Sequence, residues 1–183
     1  MTIDCPSDCP HLIASREHYD LRRPVDWDKV PFADKKIFFS VLEAHERLFL
    51  QLSYVILEYA QDNPSLVDSD VEAAYQALAE TYLTLSSGIL YEKPPDHRMQ
   101  RELYDRLRKG VEDYKQEEGP GLVAQTSVRD PDIRDALILF TQITARRSNG
   151  RPKGRAFLDF IRSQFKPGTF SSQTAGSGII LAP

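Results

Sequence analysis

From residue 34 onward, apolar side chains recur at steps of three and four, the spacing that lines one face of an α-helix. The first stripe is Ile37, Val41, His45, Leu48, Leu52, Ile56 and Tyr59, and Asn63-Pro64 ends it. A second helix is predicted from Ser69, with Glu72 three residues on as a capping box. It carries Val71, Tyr75, Leu78, Tyr82, Leu85 and Ile89 and stops before Pro94-Pro95. A third helix follows Asp96, with Met99, Leu103, Leu107, Val111 and Tyr114 on one face, and Gly119-Pro120-Gly121 ends it. Asp130-Pro131 is a cap and first-turn signal for a fourth. Its apolar residues, Ile133, Ala136 through Phe140, and Ile143, cover most of the circumference and predict a central position; Gly150 supplies the stop. A last, short helix is predicted over 153–165, with Phe157, Phe160, Ile161 and Phe165 inward.

The flanks lack this periodicity. Residues 1–31 hold four of the twelve prolines, and Asp8 followed by Pro10 predicts one small helix there. Trp27, Val30 and Phe32 are expected to anchor this arm to the helices. Residues after Lys166 are rich in Ser, Gly and Thr and predict a flexible tail. No strand-like alternation or internal repeat is present. The pattern therefore predicts an all-α fold: an antiparallel bundle of four long helices plus a short C-terminal helix. The units are an irregular Pro-rich arm (1–31), the bundle (32–165) and the tail (166–183).

A chain of 183 residues with 41% hydrophobic content can build a core without metal or disulfide. A net charge of −4 argues against bulk electrostatic binding to nucleic acid or an anionic membrane. No apolar run reaches membrane-spanning length, and no secretory segment is visible, so a cytoplasmic protein is expected.

Two features stand out from the helical background. The first is Cys5-Pro6-Ser7-Asp8-Cys9, which holds both cysteines of the chain. A structural zinc wants about four thiolate or imidazole ligands. Cys5, Cys9, His18 and His45 are the candidate set, for zinc or iron, and would tie the arm to the bundle. A redox pair is the other chemical reading, though three intervening residues and no preceding strand fit it poorly. His45 sits mid-stripe among apolar residues, and the bland reading pairs it with a tyrosine, Tyr75 or Tyr82. The second feature is the basic run Arg146, Arg147, Arg151, Lys153 and Arg155 between the last two helices. Guanidinium groups this dense suit phosphate or nucleic acid. The same charges at a helix C-terminus also stabilise it locally.

Several enzyme classes are excluded by missing signatures. There is no Glu-x-x-His for a carboxylate di-iron bundle, no Gly-x-Ser-x-Gly and no Gly-rich phosphate loop. The sequence thus points to a non-catalytic binding or regulatory bundle acting on a protein partner, or on its own copies, through a helix face or the loop 146–155. The rivals are a metal protein built on Cys5 and Cys9 and a phosphate or nucleic-acid binder built on the basic loop.

Overall fold

The structure, a computed structural model, describes residues 9–20, 25–89, 91–117, 128–148 and 153–170. Seven α-helices are present among them: α1 (Pro10–Asp20), α2 (Ser40–Ala44), α3 (Glu46–Asp62), α4 (Asp68–Leu85), α5 (Arg98–Glu117), α6 (Asp130–Arg147) and α7 (Ala156–Ser163). A single 3-10 turn covers Trp27–Lys29. No strand occurs among the described residues. None of these helices is long and apolar enough to cross a membrane. The fold is all-α, as the periodicity predicts.

Two antiparallel pairs form the body. In α3 and α5, Arg47 pairs with Glu117, Gln51 donates to the Gly110 carbonyl, and the Tyr59 hydroxyl donates to Glu102. In α4 and α6, Arg134 reaches Ser86 while Tyr75 lies against Phe140. The pairs join where α4 meets α5, so the core is a sheath of Leu, Ile, Val and aromatic side chains around α4 and α6. The helix expected at the centre, α6, buries Ile133 and every residue from Ala136 to Gln142. Helix α7 packs against α3, α4 and α6, α2 against α3 and α6, and α1 against α7.

Several boundaries differ from the sequence pattern. The first predicted helix begins at Ser40, not near 34. Residues 32–35 form a turn instead, whose Phe32 and Lys35 carbonyls accept from the buried Gln142 amide at 2.8 and 3.1 Å. That helix also breaks at His45, where φ −123° and ψ 29° leave the helical region. The start of α4 is set by Asp70, which accepts the Val67 N–H at 3.2 Å, and not by Ser69 and Glu72. Likewise Asp132 accepts the Arg129 N–H and brackets α6 one residue earlier than Asp130 would. Of the expected arm anchors, Val30 is buried and Phe32 half-buried, whereas Trp27 is 55% exposed. The packed body extends past residue 165. Phe170 is buried and makes an edge-to-face group with Phe165 and Tyr54. The remainder of the predicted tail, 171–183, lies outside the described residues, as do Cys5, Asp8, Gly150 and Arg151.

Candidate binding cleft

The break at His45 marks one wall of the site. Helices α2 and α3 part there, and a cleft of about 530 Å³ lies between α2–α3 and α6–α7. Leu42, Phe49, Leu50, Ile143 and Phe160 supply its apolar surface, and Phe39 projects at its mouth, 62% exposed. Neighbouring Phe38 is 76% exposed. Trp27 lies at the same place, because the Arg146 guanidinium stacks on its ring at 4.4 Å. The exposed Phe39 on the lining and Trp27 against Arg146 thus add apolar surface beside this opening.

Charge divides the rim in two. Glu43 and Glu46 line it from α2 and the first residue of α3. Arg146 and Arg147 line it from the last turn of α6. All four are exposed, and none forms an ion pair with another described residue. Arg147 stacks on Phe160 at 4.2 Å. Stacking of this kind fixes the guanidinium plane while leaving its N–H edge free to grip a carboxylate.

His45 itself is half-buried. Its Nδ1 lies 3.4 Å from the Tyr114 hydroxyl, with the rings edge to face. The histidine is therefore satisfied by a tyrosine, as the bland reading expects, but the partner comes from α5 and is neither Tyr75 nor Tyr82. Cys9 precedes α1, half-buried, and its carbonyl accepts the Ile13 N–H; His18 is exposed on the same helix. Among the described residues, no three His, Cys, Asp or Glu side chains come together as a metal site. The fourth member of the candidate set, Cys5, lies outside them.

The basic run splits. Lys153 is exposed in a turn. Arg155 is only 6% exposed, and its Nη1 donates to the Pro64 carbonyl at 2.6 Å and the Leu66 carbonyl at 2.9 Å. It belongs to a buried knot. Asp68, 1% exposed at the start of α4, accepts the Phe157 and Leu158 N–H groups at 3.1 and 3.2 Å. Those are orphan donors of the first turn of α7, so Asp68 caps that helix from a distance. The Asp68 N–H in turn donates to the Gly154 carbonyl at 2.8 Å. Burial pushes the Asp68 carboxyl up to about 6, assisted by Asp159 and opposed by the two N–H bonds and Arg155. Arg155 therefore locks the α3–α4 and α6–α7 connections and takes no part in a basic surface.

Sequence reasoning missed the cleft residues on α2 and α3. Their signal was a second apolar row, Leu42 and Phe49, seven residues apart and beside the main stripe. No protein-family model, curated protein or solved structure matches this chain.

Proposed function

We propose that this chain is a non-catalytic binding protein that captures an apolar segment of another polypeptide in the cleft between α2–α3 and α6–α7. The observation that carries this reading is the composition of the opening: an apolar floor, the exposed Phe39 and two stacked arginines on its rim, and four rim charges without ion-pair partners among the described residues. Aromatic and arginine anchors over an apolar floor are the side chains that dominate protein–protein hot spots. Nucleic acid or free phosphate fits less well. Arg155 is committed to backbone carbonyls, and Glu43 and Glu46 stand in the same opening as Arg146 and Arg147.

Site-resolved photo-crosslinking tests this. A photoreactive phenylalanine analogue at position 39 should yield a discrete protein adduct in the native host. The same analogue in place of Glu58, exposed on α3, should not. Identical adducts from both positions, or none from position 39, would remove the cleft as a binding site.

A further inference from the structure

The charge layout of the cleft specifies its occupant more narrowly, given the reading of that cleft as a binding site. We infer that it receives an amphipathic α-helix of a partner protein, with acidic residues along one flank and basic residues along the other. Two observations lead here. First, the floor is apolar: Leu42, Phe49, Leu50 and Ile143 offer no hydrogen bonds from their side chains. A segment laid on such a floor must satisfy its own backbone groups, and a helix does so internally. Pairing with an extended strand would need a sheet edge, and there is none among the described residues.

Second, the rim carries both signs. Glu43 and Glu46 stand on the α2–α3 side, Arg146 and Arg147 on the α6–α7 side, and the four make no ion pairs with described residues. An anionic lipid or phosphate ester would meet the arginines but bring its charge into the field of two carboxylates. A neutral apolar ligand would leave all four charges unanswered. A helix seated apolar face down presents two separate flanks to two separate walls, and each flank can carry the sign its wall lacks. Turning the helix end for end exchanges the flanks, so the rim also sets the direction in which it lies.

Selection from a displayed library tests the assignment. The library holds amphipathic helices of about 18 residues, long enough to span several turns, with Glu or Lys randomised along both flanks and apolar anchors varied on one face. Wild-type protein should enrich helices with one acidic and one basic flank, and all-acidic or all-basic versions of those winners should bind at least about tenfold more weakly. Selection on Arg146→Glu/Arg147→Glu should enrich helices basic on both flanks. Selection on Glu43→Lys/Glu46→Lys should enrich acidic ones. These four residues are exposed, and unchanged circular dichroism and thermal midpoints would confirm that the variants fold. Flank charges indifferent to both variants, or cleft-dependent binding of anionic vesicles in preference to the helices, would overturn the assignment and leave the cleft standing. Saturable self-association abolished by Phe39→Glu would replace the partner with a second copy. Helices and vesicles that bind equally well to wild type and to Phe39→Glu would remove the cleft itself.

Discussion

Replacing Asp68 by Asn should change how stability depends on pH, not only its level. The carboxyl is buried and raised from 3.8 to about 6, so between those values the folded chain binds a proton that the unfolded chain has released. Stability then falls as pH rises. The contribution is fully present below about pH 4, the ordinary carboxyl value, and is lost by the time pH passes about 6. A gap of about two pH units corresponds to ~3 kcal/mol. Asparagine removes the titration and also turns an N–H₂ toward one of the two α7 amides, a pH-independent cost of about 1–3 kcal/mol. Urea denaturation followed by far-UV circular dichroism, on both proteins at several values from about pH 4 to about pH 7, measures the difference. Other carboxylates, including the neighbouring Glu72 that burial and Asp68 also raise, titrate in both proteins and largely cancel. Wild type should be the more stable at the acid end, and its advantage should shrink by ~3 kcal/mol toward neutrality. A constant gap would refute the reasoning. A gap that widens with pH would show that the two amides and Arg155 outweigh burial and hold the carboxylate ionised.

Three further substitutions probe the packing. Arg155→Met keeps an apolar stem but leaves the Pro64 and Leu66 carbonyls without that donor, and should cost about 2–4 kcal/mol in the same denaturation assay. Tyr75→Phe should be neutral or stabilise by up to about 1 kcal/mol, because the Tyr75 hydroxyl is fully buried without a hydrogen-bond partner among the described residues; a loss above about 2 kcal/mol would mean that it has one. At Gly110, where α3 and α5 approach, an added Cβ would stand 3.0 Å from Leu52 Cδ2 and 3.7 Å from Val55 Cγ2. Gly110→Ala should therefore come out near zero, its gain of about 1 kcal/mol in helix propensity offset by the shift of Leu52. Gly110→Val should lower the thermal midpoint through overpacking of about 1–3 kcal/mol.

The long helices were legible because their apolar residues keep step with the 3.6-residue turn over four turns or more. Their first residues were less so. Around Asp68-Ser69-Asp70, three competent capping residues stand in a row, and tertiary contacts decide among them: Asp68 is drawn to α7, which leaves Asp70 to bracket α4. The break at His45 is hidden for a different reason, since the stripe passes through it without a missed beat. At the break Tyr114 stands beside the imidazole, a neighbour sixty-nine residues away in sequence that no local pattern announces. Arg155 read as surface because it sits in a basic run. Its partners lie about ninety residues earlier in the chain, beyond the reach of any local pattern.

The same separation explains why the cleft could be half seen. Arg146 and Arg147 were visible as a charged corner, but most of the apolar floor beneath them, Leu42, Phe49 and Leu50, comes from α2 and α3, about a hundred residues upstream. The buried knot and the cleft are also joined mechanically. Asp68 and Gly154 fix the first turn of α7, and Phe160, in the following turn, is the ring on which Arg147 stacks. A carboxylate that never meets solvent therefore helps to set the position of a guanidinium that does. Basic residues a few positions apart consequently have opposite roles. Arg155 holds the frame, and the frame holds Arg147 where a carboxylate from another chain can reach it.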